Sequence, residues 1–256
     1  MTIPLPVPDS DVVHVTYRHT EALGGTALDA DVSLLSVDER ARLARFVFAR
    51  DRRDFAASHA LLRRRLSTHA DLPPDAWTFE VEPGGKPHLS ADHVGADPAF
   101  NLAFNLSHTH GLVACAIGRG VDIGVDVESI DRAVEGRDIA TRYFSPDEIR
   151  LLDACDAVER QARFIELWTL KEAYVKAIGR GLGHSLATFG FAFDGERGIR
   201  FAPPPGEQAM QWTFALLAPS ARHRLAVATR SPCAVVRMAD DANEGAGTEP
   251  LRRSDW

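Results

Sequence analysis

Two clusters of charge carry most of the chemistry open to this sequence. The first is Val121-Asp-Ile-Gly-Val-Asp-Val-Glu128, in which apolar residues at 121, 123, 125 and 127 alternate with Asp122, Gly124, Asp126 and Glu128. Alternation with period 2 belongs to a half-buried strand, so the three carboxylates share one face. Asp126 and Glu128 are neighbours along that face, close enough to reach one cation, and Gly124 leaves the surface bare where a ligand can approach. Carboxylate oxygens suit a hard ion, Mg²⁺ in particular, which takes one or two carboxylates together with substrate phosphates. A solvated acidic strand face is the plainer alternative. The second cluster is Trp168-Thr-Leu-Lys-Glu-Ala-Tyr-Val-Lys176. At about 100° per residue, Thr169, Glu172 and Lys176 fall within roughly 60° of arc, and apolar side chains take most of the remaining circumference. Such a helix is expected to be buried, and its polar stripe then needs partners, because an unpaired buried charge is costly. The plainer alternative here is an i,i+4 Glu172–Lys176 pair on a wet face.

These clusters need a frame. Helices are expected near Val37–Phe48 and Arg52–His69, followed by a turn at Asp71–Asp75 and a strand at Trp77–Val81. In the tight loop Glu82–Pro87, Gly84 and Gly85 permit positive φ and Pro87 holds Lys86 extended, a way of fixing one ammonium. Phe104–His108 reads as a strand end running through the turn Thr109–Gly111 into a strand at Leu112–Ile117. Ser107 beside His108 has neither the third member of a hydrolase triad nor a nucleophile elbow around it. Arg119–Gly120 marks the midpoint. Ser145, Pro146 and Glu148 spell a helix start with a capping box. A further helix begins near Asp156 and runs to Gly179, where the glycines of Gly179–Gly183 end it. Strands follow at Phe189–Phe193, Trp212–Leu217 and Arg224–Thr229. The expected division is an N-terminal half, 1–118, a C-terminal half, 119–237, and a disordered tail, 238–256, rich in Asp, Glu, Gly and Ala.

With 256 residues, 45% of them hydrophobic, the chain can bury the core of one large domain or two closely packed halves. No charged-then-apolar leader opens it, and no run nears the roughly 18 apolar residues of a membrane helix. Cys115, Cys155 and Cys233 are widely spaced, without a C-x-x-C pair, and read as reduced core thiols of a cytoplasmic protein without a zinc site. The net charge of -7 argues against nucleic acid as a partner. The sign is uneven, however. Between Asp38 and Leu66, nine arginines (40, 42, 45, 50, 52, 53, 63, 64 and 65) stand against Asp38, Glu39, Asp51 and Asp54, a local excess of +5. Most of the nine are assigned to solvated helix faces. The excess nevertheless suits a defined polyanion, either a phosphorylated small molecule or an acidic partner protein.

Taken in order, Gly85-Lys-Pro87, Phe104-Asn-Leu-Ser-His108, Gly124-Val-Asp-Val-Glu128, Phe144-Ser145 with Glu148, and Trp168-x-x-Lys-Glu-Ala-x-x-Lys176 followed by Gly-Arg-Gly-Leu182 resemble the motif set of the surfactin-type 4′-phosphopantetheinyl transferases. The resemblance extends from about Val37 to Thr229, and Phe46-Val-Phe-Ala-Arg-Asp51 is similar to the long subgroup of that family. It implies an α+β fold of two similar halves, each a small sheet with packed helices, and a ligand cleft between them. It implies Mg²⁺-dependent transfer of the phosphopantetheine arm of coenzyme A to a serine of an apo acyl or peptidyl carrier protein by a cytoplasmic monomer, with neither nucleic acid nor membrane as partner. Asp126, Glu128 and Glu172 would hold the metal, Glu172 would also be the base, and Lys176 would contact the phosphates. The catalytic set is thus Glu172, Lys176 and Asp126. Arg42, Lys86, Asn105, Ser107 and His108, with Lys176, match the coenzyme A contacts, mainly those to the 3′-phosphate. Arg40 and Arg45 lie within a helical turn of Arg42 and share its candidacy. Family members vary at the position of Glu128.

Two other functions are compatible with parts of this pattern. A Mg²⁺-dependent nuclease would also gather Asp126, Glu128 and Glu172, but it commonly adds a lysine where this chain has Ile130, and it needs a basic groove. A non-catalytic module binding coenzyme A or a carrier would keep Arg42 and His108 without any use for three carboxylates.

Overall fold

The computed structural model describes residues 12–81, 85–93, 101–131, 136–179, 185–195, 198–232, 234–242 and 252–254. The fold is α+β, in two compact units whose boundaries fall between Val121 and Asp122 and between Ala234 and Val235. The first unit contains strand β1 (Val12–His19), helices α1 (Gly25–Ser33), α2 (Val37–Leu43) and α3 (Ala49–Leu66), and strands β2 (Phe79–Val81), β3 (Pro87–Leu89), β4 (Leu102–Thr109) and β5 (Leu112–Arg119). The second contains β6 (Ile123–Ser129), α4 (Gly136–Tyr143), α5 (Pro146–Asp153), α6 (Ala157–Ala177), β7 (Gly190–Asp194), β8 (Gly198–Ala202), β9 (Thr213–Ser220) and β10 (His223–Thr229). Strand β11 (Val235–Asp240) then returns to the first unit, and β12 (Arg252–Arg253) to the second.

In the first unit the sheet order is β11-β1-β5-β4, with β11 parallel to β1. The hydrophobic face of α3, with Leu61, Leu62 and Leu66, packs on Phe104, Val113, Cys115 and Ile117 of that sheet. The helix expected to reach Phe48 stops at Leu43. Phe46 leaves the helical path to join Leu35, Phe55 and Ala56 in a small separate core. Arg63, almost fully buried at 1% exposed, donates to the Trp77 carbonyl at 2.5 Å and to Glu39 Oε2 at 2.7 Å. Arg64 pairs with Asp31, and Arg65 with Asp241. These three arginines are therefore part of the architecture and not of a solvated helix face. Burial pushes the Glu39 carboxyl up, but His59, the Ser36 amide and Arg63 outweigh it and bring its pKa down to about 2.

In the second unit the order is β6-β10-β9-β12-β8-β7. Helix α6 lies on β6 and β10 and has no Gly or Pro from Ala157 to Ala177. Asp156 caps it, accepting from the Val158 and Glu159 amides at 2.9 Å. It ends at Gly179, which adopts φ 67°. Tyr174 sits among Phe189, Trp212 and Phe201, with ring centres 4.6, 4.8 and 5.1 Å away. Strands β1, β3, β8, β11 and β12 and helices α1 and α4 were not expected from the sequence. Strand β11 crosses the expected boundary at 237/238, so Met238–Asp240 pair with β1 and are not tail. Of the rest of the expected tail, 243–251, 255 and 256 lie outside the described residues, as do 82–84 of the lysine loop and 180–183 of the glycine run.

Candidate functional site

The β6–α6 layer brings the two sequence clusters together. A Cβ built on Gly124 would stand 2.0 Å from the Ala173 carbonyl oxygen and 2.5 Å from the Ala177 amide nitrogen. Gly124 is therefore bare for the helix and not for a ligand, which corrects the sequence reading. Its cross-strand neighbour Ala228, and Ala226 beside Asp126, keep the same face low. Asp126 and Glu128 continue this face toward α6. Lys176 Nζ donates to Asp126 Oδ1 at 2.7 Å and to the Val125 carbonyl at 3.1 Å. The lysine side chain is 27% exposed and that of Asp126 7%. Glu172, half-buried, lies one turn before Lys176 on the same helix. Thr169, the third member of the stripe, is fully buried and donates to its own helix at the Ile165 carbonyl, 2.6 Å away.

Glu128 is paired in register with Arg224 of β10, whose guanidinium reaches Glu166 Oε1 at 3.3 Å. Arg163 holds the other oxygen of Glu166 at 2.8 Å. Among the described residues, no group of three or more His, Cys, Asp or Glu side chains stands in ligating geometry. Asp126, Glu128 and Glu172 are thus placed on facing elements without forming a closed three-carboxylate cage. A cavity of about 310 Å³ is lined by Tyr174, Ile178, Pro204 and Arg230. Tyr174 and Ile178 are roughly 160° around the helix from Lys176, so this cavity belongs to the opposite side of α6 from the charged cluster.

Sequence reasoning missed Lys171. Its side chain is fully buried, and Nζ donates to Glu148 Oε2 at 2.8 Å, the Leu186 carbonyl at 2.8 Å and the Phe189 carbonyl at 2.7 Å. Glu148, also fully buried, closes the expected capping box by accepting from the Ser145 amide at 2.8 Å, and its Oε1 accepts from the Phe191 amide at 2.9 Å. Burial pulls the Lys171 pKa below its usual value, and Glu148 partly opposes that shift. A charged residue on the apolar side of a buried helix was the available signal.

The remaining candidates lie in the first unit, and they do not all share one face. Asn105 and Ser107 are buried and point to one side of β4, whereas His108 is exposed and points to the other. This alternation excludes a serine–histidine pair within the strand. Lys86 is half-buried at the entry to β3. Arg42 is exposed, its guanidinium 5.3 Å from the centre of the Phe55 ring. Arg40 donates to the Leu35 carbonyl, and Arg45 is exposed in the turn after α2. Cys115 is buried and its thiol is pushed up to about 12 by desolvation, which makes it inert. Cys155 is a half-buried free thiol and not a core one, and Cys233 lies outside the described residues.

Comparison with known proteins bears on both units. A family model described as the 4′-phosphopantetheinyl transferase superfamily matches residues 122–228. A second, described as 4′-phosphopantetheinyl transferase, N-terminal, matches residues 25–118. The chain is 33% identical over 205 residues to the 4′-phosphopantetheinyl transferase psf-1 of Bacillus pumilus, a match covering 78% of this chain and 81% of that protein. It is 37% identical over 148 residues to the 4′-phosphopantetheinyl transferase HetI of Nostoc sp., covering 58% of this chain and 61% of that one. A third relative is the mouse L-aminoadipate-semialdehyde dehydrogenase-phosphopantetheinyl transferase, 28% identical over 76% of this chain and 67% of its own.

Proposed function

Because the chain belongs to the 4′-phosphopantetheinyl transferase superfamily, we propose that it moves the 4′-phosphopantetheine arm of coenzyme A onto a serine of an apo acyl or peptidyl carrier protein. The serine oxygen forms a bond to the phosphorus that bears the pantetheine. The bond from that phosphorus to the bridging oxygen breaks, and adenosine 3′,5′-bisphosphate leaves with the oxygen. The observation that carries this reading is the Lys176–Asp126 pair on the β6–α6 layer, with Glu172 one turn away. It sets an ammonium and a carboxylate side by side where a pyrophosphate and a proton have to be handled.

In this reading Glu172 takes the serine proton and Lys176 meets the phosphate oxygens as a point charge. The donors on β6 are chemically suited to Mg²⁺: Asp126 and Glu128 are buried carboxylates on one strand face, and oxygen donors are what the ion takes. Asp126, Glu128 and Glu172 would hold it, and its chemistry there would be neutralisation of charge developing on the phosphate oxygens. In the first unit, Asn105, Ser107, His108 and Lys86 are proposed to meet coenzyme A. The 3′-phosphate would fall to an arginine of the α2 corner. Arg40 donates to the Leu35 carbonyl, whereas Arg42 is exposed and stacks only the face of its guanidinium on Phe55, so its N–H edge stays open and it remains the first candidate, with Arg45 beside it. The absence of a membrane-crossing helix among the described residues fits a protein that meets its carrier in solution, and we propose a cytoplasmic monomer.

Incubation with coenzyme A, Mg²⁺ and several apo-carriers, read by mass spectrometry, tests the proposal: one carrier should gain the mass of the phosphopantetheine arm. Gain by none of the acyl or peptidyl carriers tried would overturn it. With a carrier in hand, Arg42→Ala should reduce kcat/KM for coenzyme A by about 10- to 100-fold, the loss of one charge-assisted contact, and barely affect 3′-dephospho-coenzyme A. Equal losses on both substrates would remove Arg42 from that role and leave it to Arg40 or Arg45.

A further inference from the structure

The turn between α2 and α3, residues Ala44–Phe48, is arranged so that two apolar side chains face water. Phe46 takes the inward position, its ring 5.2 Å from that of Phe55. With that residue anchored, Val47 and Phe48 project outward and are 82% and 57% exposed. Phe48 is the N-cap residue of α3, yet its side chain makes no capping hydrogen bond, so the helix start does not explain it. An isolated exposed valine needs no explanation. Two adjacent apolar side chains on an anchored turn, inside the most basic stretch of an acidic chain, call for one. The Arg50 guanidinium lies 5.2 Å from the centre of the Phe48 ring, and Arg52 beside it is exposed. From residue 37 to 54 there are six arginines and four acids; Glu39 is held by His59 and Arg63, Asp51 pairs with Arg50 and Asp54 with Arg53.

We infer that this corner is a docking surface for an acidic protein face with an apolar centre, and that its occupant is the apo-carrier protein. The inference rests on the transferase reading, which supplies a protein substrate. Charge complementarity selects the occupant. A chain of net charge -7 repels an acidic partner over most of its surface and attracts it at this corner, so the field orients the encounter as well as speeding it. Val47 and Phe48 then supply apolar contact next to Arg50, a combination of aromatic and arginine side chains of the kind that dominates binding. Nucleic acid would use the arginines and leave the two apolar side chains idle. An anionic membrane surface could use both, and the test below separates it.

The experiment uses the full chain and the Val47→Ser/Phe48→Ser double variant, which should melt with the wild type because both positions are in water. Affinity is read by fluorescence anisotropy against an apo-carrier whose acceptor serine is replaced by alanine, and transfer is read against the normal apo-carrier. The double variant should raise the carrier Kd and KM by about 10- to 100-fold while leaving KM for coenzyme A unchanged. Arg50→Glu/Arg52→Glu should slow association and flatten its salt dependence. Unchanged carrier affinity in both variants overturns the proposal. So does a rise confined to KM for coenzyme A, which would give the corner to the nucleotide. Wild-type binding to phosphatidylserine vesicles that the double variant loses, with carrier affinity intact, overturns it in favour of a membrane. If the wild type binds the carrier through this corner but transfers nothing, the transferase reading falls and the docking surface stands. Normal transfer by wild type and variants alike has the reverse meaning.

Discussion

Helix α6 carries two lysines five residues apart, each paired with a carboxylate, and they differ in almost every physical respect. Lys171 is fully buried, and Glu148, Leu186 and Phe189 accept from its three donors. Lys176 is 27% exposed and holds Asp126 at the edge of water. The first pair ties α6 to the start of α5 and to β7, so it is built into the tertiary structure. The second joins α6 to β6, and its ammonium is reached by water. Pairing by itself does not mark a residue as catalytic. Access to solvent, and the number of backbone groups that depend on the pair, separate Lys171 from the lysine proposed to meet the phosphates.

The largest test of that contrast is Lys171→Met. It leaves the Glu148 carboxylate buried without its counter-charge and should cost about 3–5 kcal/mol in urea denaturation. The Lys171→Met/Glu148→Gln double variant should lose less than the sum of the single changes, because the stranded charge is gone. A single-variant loss below about 1 kcal/mol would show that the Lys171–Glu148 pair is not structural. Next in size, Lys176→Met takes the partner from a buried carboxylate but leaves no buried ammonium site behind, and should cost about 1–3 kcal/mol, less than Lys171→Met, while lowering kcat/KM for transfer by about 10- to 100-fold. If it unfolds the protein instead, the two lysines have been assigned the wrong way round.

The smallest effect extends the contrast to the first unit, where Glu39 with Arg63 is the counterpart of the structural pair. Its folded pKa of about 2 lies below the ordinary 4.5. The stabilisation is therefore fully present above pH 4.5 and is lost as pH falls toward 2. Allowing for solvent screening, it should amount to on the order of 1–2 kcal/mol. Glu39→Gln should flatten the stability profile over that window, and an unchanged slope would mean that Glu39 is no more than a helix cap.

The charged motifs were legible in the sequence because they break local rules. Alternation across Val121–Glu128 located β6, and Ser145 with Glu148 located the start of α5. Asp156 and Gly179 bracketed α6. Lys171 escaped because its neighbour Glu172 completes a plausible polar stripe, and only packing shows that Lys171 points the other way, into aromatic rings. Strand β11 escaped because its partner β1 is more than two hundred residues earlier, and pairing at that distance leaves no local trace. Arg63, Arg64 and Arg65 read as a solvated run because their acids, Glu39, Asp31 and Asp241, are remote in sequence. The opposite facings of Ser107 and His108, by contrast, follow from the alternation of a strand.

Gly124 sets a length as well as a fold. With no side chain between β6 and α6, the gap from Asp126 to Lys176 is measured by main-chain atoms in contact, the carbonyl of Ala173 and the amide of Ala177 against a bare Cα. Main-chain dimensions do not drift when neighbouring side chains are exchanged. The layer therefore works as a fixed gauge on which Asp126, Glu128, Glu172 and Lys176 are mounted, and those side chains can be exchanged without recalibrating their mounting. The tolerance ends at position 124, where one added methyl would change the gauge itself.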